Sequence, residues 1–211
     1  NMGYADSLEV FSIYGETTSS AGKSQQLSRI LIEFPISSIS ADRTAGTIPA
    51  SGSVSFYLKM FNAEHPFTLP QNFNLVVAPV SQSWSEGTGL DMDEYTDKGV
   101  SNWISASQGV AWTTVGGDYL SQDNSNVLFA EGYEDLEVEV SEVVENWIKG
   151  LSGGEYDNYG FGIRLTASQE AYFSSSTGQN TGSIIHNVVG STDTYYTMKF
   201  FARSTEFFFK R

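Results

Sequence analysis

The pentapeptide Leu136-Glu137-Val138-Glu139-Val140 constrains the fold more than any other stretch, because its apolar residues take every second position and glutamates fill the positions between. Successive side chains of a strand point to opposite faces, so this pattern fits a strand with one face in a core and the other in water. Directly after it, in Ser141-Glu142-Val143-Val144-Glu145-Asn146-Trp147-Ile148-Lys149-Gly150, the period changes. Val143, Val144, Trp147 and Ile148 share one face of a helix, and Trp147 is expected in the core. Ser141 is expected to cap the first turn, Glu142 and Lys149 to complement the two ends of the helix dipole, and Gly150 to supply a left-handed stop.

Segments rich in β-branched and aromatic residues recur at 8–14, 29–34, 54–61, 73–80, 161–165, 184–189 and 197–203. Their spacing predicts an antiparallel β-sandwich instead of alternating strands and helices. The polar stretches 16–26, 81–102, 116–125 and 174–182 read as loops. Those at 85–97 and 168–182 exceed ordinary connections and are candidates for interaction. The expected fold is all-β: one sandwich domain over residues 1–211, with one short helix and long loops. The end, Phe207-Phe208-Phe209-Lys210-Arg211, reads as the middle of a strand, so the chain is taken as part of a longer polypeptide.

Composition narrows the function classes. Of 211 residues, 40% are hydrophobic and 14% aromatic, which is enough for a packed core and argues against disorder. No cysteine is present, which removes disulfides, thiolate zinc sites, iron–sulfur clusters and a thiol nucleophile together. A net charge of -14 with 11 Lys and Arg opposes docking on phosphate backbones, so no direct nucleic-acid partner is expected. No apolar run approaches the roughly 20 residues that cross a bilayer, so no membrane insertion is expected.

The search for chemistry begins with the two histidines. His65 lies in Ala63-Glu64-His65-Pro66, a turn, and His186 in an apolar strand; a structural role is favoured for both. No Gly-x-Ser-x-Gly elbow and no phosphate-cradling Gly-Lys-Thr/Ser are read, so the machinery of a nucleophilic hydrolase or a nucleotide enzyme is not expected. Glycoside hydrolysis needs only two carboxylates, and 25 Asp and Glu leave it open, although a solubilising acidic shell is the favoured reading. In Asp91-Met92-Asp93-Glu94-Tyr95-Thr96-Asp97 the carboxylates of Asp91, Asp93 and Asp97 are candidates for calcium. The run lacks the glycine and glutamate of an EF-hand, and a solvated acidic loop is favoured; no other cofactor is expected. Trp84, Trp103 and Trp112 lie in or beside loops, and with Tyr195 and Tyr196 they are candidates for stacking on sugar rings. Plugging the ends of the core is the alternative for the tryptophans, and the favoured one.

A pattern then emerges in chain order: Leu27-Ser28-Arg29-Ile30-Leu31-Ile32-Glu33-Phe34, Val80-Ser81-Gln82-Ser83-Trp84-Ser85-Glu86-Gly87, Val144-Glu145-Asn146-Trp147-Ile148-Lys149-Gly150, Asn158-Tyr159-Gly160-Phe161-Gly162-Ile163 and Lys199-Phe200-Phe201-Ala202-Arg203-Ser204-Thr205-Glu206. This order resembles the DNRLRE-type domain, a jelly-roll sandwich similar to some carbohydrate-binding modules. The closing Phe201-Ala202-Arg203-Ser204-Thr205-Glu206 departs from that family's usual end in order and spacing. The resemblance covers most of the chain from about Leu27 onward, and its most similar versions are domains in virion structural proteins of tailed, notably marine, bacteriophages.

The resemblance implies a non-enzymatic particle component, a decoration, fibre or tail-associated protein located in the virion. Its partners would be other virion proteins or copies of itself. The alternative is a module that attaches to cell-surface glycan. The motifs also have a purely architectural reading: Trp84 packs while Glu86 reaches a backbone donor, Arg29 or Arg203, and Trp147 with Gly150 closes a helix over one end of the sandwich.

Overall fold

The computed structural model describes residues 2–18, 22–64, 69–90, 98–150, 157–174, 183–186 and 194–206. Their strands are β1 (Ser7–Thr18), β2 (Gly22–Ser28), β3 (Ile30–Ile32), β4 (Tyr57–Met60), β5 (Phe73–Pro79), β6 (Ser105–Ser107), β7 (Val110–Ala111), β8 (Ser125–Phe129), β9 (Leu136–Glu139), β10 (Phe161–Leu165), β11 (Ala171–Ser174), β12 (Ser183–His186) and β13 (Thr194–Phe201). Two short helices, α1 (Ser37–Thr44) and α2 (Ser141–Ile148), complete the set.

The strands form an all-β, antiparallel sandwich. One layer is the sheet β3-β10-β5-β8. In the other, β13-β1-β2 is joined to the β4–β9 pair at a bridge between Asn62 and Phe200, where the Ala63 amide donates to the Lys199 carbonyl at 2.9 Å. The layer therefore runs β9, β4, β13, β1, β2.

Alternation explains which side chains meet between the layers. Leu75 and Val77 of β5, Ile163 and Leu165 of β10, and Met198 and Phe200 of β13 point inward, joined by Leu136 and Val138 of β9. Phe73 stacks on Phe129 with centroids 5.3 Å apart, and Phe129 meets Phe200 edge-on at 6.3 Å, so aromatic rings fasten one layer to the other. Each fully buried ring or aliphatic chain contributes about 1.5–3 kcal/mol.

α2 follows β9 as the change of period requires. Val143, Val144 and Trp147 are buried, and the Trp147 ring lies 4.9 Å from Phe161, closing one end of the core. Gly150 has φ +58, the expected left-handed stop. The N-terminus differs from expectation: Val140 is the capping residue and makes no side-chain cap bond. The Ser141 hydroxyl instead accepts from the Phe56 amide at 2.8 Å and donates to Glu139 at 3.0 Å, so it ties the helix to the chain entering β4.

Five further expectations are corrected by the structure. The stretch 16–26 is not a loop: β1 and β2 continue through most of it as an antiparallel hairpin. Its Ser, Thr and Gln residues lack alternation, and the register comes from the β1 ladder anchored by Val10 and Phe11. The strand expected over 29–34 is only β3, and that over 54–61 begins at Tyr57. In the 168–182 stretch, β11 was not anticipated. Helix α1 also escapes the sequence pattern because it buries no residue; it is held from outside, where Arg43 grips Glu145 of α2 through two hydrogen bonds of 3.0 and 2.7 Å.

Candidate functional site

The face of the β3-β10-β5-β8 sheet turned away from the core carries the residues between the core positions: Arg29 and Leu31 beside and in β3, Gly162 and Arg164 in β10, Val76, Ala78 and Val80 in and after β5. Over this face folds the connection from residue 81 to 124, whose described parts include β6 and β7. It brings a small interior of its own, in which Trp112 and Ala106 pack on Val80 with Leu31, Trp84, Tyr119 and Tyr159 around them.

Close approach depends on two glycines. The Tyr119 ring lies on β10 where a Cβ at Gly162 would stand 2.0 Å from its Cε1 atom. Gly116, at φ +88, lets its carbonyl turn inward, and a Cβ there would meet the Arg29 Nη1 atom at 2.6 Å and Trp103 at 2.8 Å. A side chain at either position would force the cover to shift on the sheet.

Arg29 is the electrostatic centre of this layer. Its Nε donates to Glu170 at 2.9 Å, Nη2 to the other Glu170 oxygen, and Nη1 to the Gly116 carbonyl at 2.9 Å. Its guanidinium carbon sits 4.8 Å from the centroid of the Trp103 ring and 5.9 Å from that of Tyr119. Burial works against the Arg29 charge, but the hydrogen bond and charge of Glu170 outweigh it and raise its pKa above the ordinary arginine value. Burial likewise raises the Tyr119 phenol, against the pull of Arg29; its hydroxyl donates to the Gly116 carbonyl at 2.8 Å.

Arg164 has a different environment. Its guanidinium lies 5.5 Å from the centroid of the Tyr119 ring, and among the described residues its hydrogen bond is one long contact of 3.5 Å to the Leu165 carbonyl. Burial and then the like charge of Arg29 press its pKa below the ordinary arginine value. It lines an open groove of about 570 Å³ together with Ser81, Gln82, Thr114, Ser121 and Asn124. Asp118 also borders the groove, and its two carboxylate oxygens accept the Thr113 and Thr114 amides at 2.8 Å each.

The aromatic candidates do not gather into one platform. Trp112 is buried, and its Nε1 donates to the Asn102 carbonyl at 2.8 Å. Trp84 is half-buried with its Nε1 on the Tyr159 carbonyl at 2.9 Å, and Trp103 is half-buried against Arg29. Tyr196 turns into the core, 6.0 Å from Phe73, whereas Tyr195 is 44% exposed on the outer face of the opposite layer. Asp91, Asp93, Asp97 and His65 lie outside the described residues, and of His186 only its backbone pairing with Ala171 is described. Among the described residues no group of three or more His, Asp or Glu is placed to hold a metal ion. No helix among them is long and apolar enough to cross a membrane.

The motif residues have architectural places. Arg203 Nη2 meets both Glu86 oxygens at 2.9 and 2.8 Å, one of the partners anticipated for Glu86, whereas Arg29 takes Glu170 instead. Asn158 donates to the Phe34 carbonyl at 2.6 Å and accepts the Gly160 amide at 3.1 Å, fixing the entry to β10. Two short strings correct the expectation that neither motif is present. Gly22-Lys23-Ser24 matches the end of a phosphate loop, yet it lies in β2, and the strand continues where that chemistry needs a helix. Gly150-Leu151-Ser152-Gly153-Gly154 has the spacing of a hydrolase elbow, but it follows a helix instead of leading a strand into one, and 151–156 lie outside the described residues.

The groove and the Arg29–Glu170 layer were not legible beforehand, since residues 29, 116, 119, 164 and 170 come from four separate segments. A scan against protein-family models, a search of curated proteins and a search of solved structures each return no match.

Proposed function

We propose that this domain is a non-enzymatic structural or assembly component of a tailed-phage particle, acting in the virion through contacts with other particle proteins or with copies of itself. One observation supports it most: the residues that carry the DNRLRE-like pattern are engaged in holding the sandwich and its cover together. Trp84 anchors to Tyr159, Glu86 to Arg203, Trp147 to Phe161 and Asn158 to Phe34. Residues occupied in this way report a scaffold, and a scaffold works through its outer surface. That surface bears separate apolar side chains, among them Tyr57, Ile104, Leu128 and Tyr133, all more than half exposed.

The test is biochemical. Purified particles should contain the protein at a fixed copy number and retain it through a high-salt wash, because contacts rich in hydrogen bonds and apolar surface are little affected by screening. Release as free monomer at moderate ionic strength would refute the assignment. The loop tryptophans leave the glycan alternative little open ring surface, so a glycan array should give the same signal for the wild type and for Trp103→Ala; loss of a wild-type signal in that variant would favour attachment instead.

A further inference from the structure

Four strands end the two layers of the sandwich, β9 and β2 in one, β3 and β8 in the other. Three of them are guarded in the ways that keep edges from pairing with other chains. β9 carries Glu137 and Glu139, β2 carries Lys23, and β3 is three residues long. β8 reads Ser125-Asn126-Val127-Leu128-Phe129, without a charge, proline or glycine, and its Leu128 is 58% exposed.

The register fixes which backbone groups this edge presents. On the far side of β5, the Val80 amide donates to the Gly160 carbonyl at 2.9 Å, and the Asn74 amide to the Gln169 side chain, just past β10, at 3.2 Å. Even-numbered residues of β5 thus turn their N–H and C=O groups to β10 and odd-numbered ones to β8, because the direction alternates along a strand. Phe73, Leu75 and Val77 pair with Phe129, Val127 and Ser125, which leaves Asn126 and Leu128 with both backbone groups directed outward. Among the described residues nothing bonds to these groups. An incoming strand would satisfy all of them.

Charge beside the edge narrows what brings that strand. Where β8 begins, a cleft of about 350 Å³ is bordered by Asp123, Glu139 and Glu142 and by no lysine or arginine. A second copy would set the same carboxylates against these, in a chain of net charge -14, and is disfavoured. A segment with Lys or Arg over Ser125 meets them with the opposite sign. Alternation gives the other positions: an apolar residue beside Leu128 on the outer side, and another on the inner side beside Val127, which packs against the core.

We propose that β8 accepts, antiparallel, an extended segment of a partner protein with two adjacent β-branched residues opposite Leu128 and Val127 and a lysine or arginine opposite Ser125. This locates a partner contact of the particle reading and rests on that reading for the partner's source. Fluorescence anisotropy of the labelled peptide Gly-Thr-Val-Val-Thr-Lys-Gly, titrated with the whole chain, tests it. The peptide should bind at least about tenfold tighter than versions with glutamate for the lysine or proline for the second threonine. Hydrogen exchange should find the Asn126 and Leu128 amides open in the protein alone and slowed by the peptide. Asn126→Pro removes an outward N–H and no ladder bond, so it should weaken binding by about tenfold or more with the thermal midpoint nearly unchanged. Leu128→Lys keeps every backbone group and should weaken binding likewise, while Asp123→Asn/Glu142→Gln should erase the preference for lysine over glutamate. No binding to the wild type, equal binding of the glutamate or proline peptide, or undiminished binding by both edge variants would overturn the proposal. So would a wild-type dimer that Asn126→Pro dissolves, since the edge would then belong to a second copy. The particle reading stands or falls separately, on copy number and the salt wash.

Discussion

Replacing Glu170 by glutamine tests the electrostatic account of the covered face most directly. The substitution keeps the shape but turns one of the two accepting oxygens into an N–H donor, and it leaves Arg29 charged, with side-chain exposure of only 13% and no anion against it. Removing one partner of a buried ion pair typically costs about 3–5 kcal/mol. For a chain of this size about 1 kcal/mol shifts the midpoint by roughly 2–4 °C, so a midpoint lower by roughly 6–20 °C is expected. Thermal melting measures this midpoint and urea denaturation the free energy, both followed by tryptophan fluorescence, since Trp103 lies against the same guanidinium. The double variant Arg29→Leu/Glu170→Leu should recover most of the loss, because neither charge then needs solvation; the Gly116 carbonyl keeps its Tyr119 donor. A Glu170→Gln loss under about 1 kcal/mol, the scale of an exposed pair, would refute the reasoning.

Other outcomes follow from the same structure. Gly162→Ala places a methyl 2.0 Å from the Tyr119 ring and should cost about 1–3 kcal/mol in denaturation midpoints, with a changed near-ultraviolet spectrum. Trp147→Ala should cost about 3–5 kcal/mol by opening the core beneath α2, measured by the same titration. The Arg43 hydrogen bond holds the Glu145 carboxyl below its usual 4.5, so the native state binds that proton less readily than the unfolded chain. Its stabilisation is complete above that value and lost as pH falls through the lowered one; Glu145→Gln should flatten the acid limb of a stability–pH curve. Burial, then Glu86, raise the Glu33 carboxyl, so the sign reverses: stability is gained below 4.5 and lost as pH rises through the raised value. Glu33→Gln should therefore stabilise the protein at pH 7 and change nothing at pH 3.

The elements legible in the sequence are those whose pattern is local. Leu136 to Val140 alternates because one face is wet, and α2 shows its stripe because it covers a core; both are found where expected. What escaped has no local signature. α1 buries nothing, and the β1–β2 hairpin continues through polar residues whose order is imposed by a neighbouring strand. The covered face escaped for a further reason: Gly162 reads as a weak strand residue until Tyr119, more than forty positions away, is found lying on it. Arg29 likewise reads as the polar start of a strand until Glu170 arrives from the far end of β10.

The cover over the sheet has a consequence for how the molecule breathes. Its amides are bonded among themselves, Ser85 to Ala106, Ser101 to Ser85, Trp112 to Ile104 and Gly116 to Trp103, around an interior separate from the main core. Hydrogen exchange across its described parts should therefore proceed with one shared opening free energy, below that of β5 and β10, and each opening would expose the Arg29 guanidinium to water. Natural variation can rebuild this block wholesale, provided a flat ring still fits the bare backbone at 162 and a carbonyl still reaches the buried arginine.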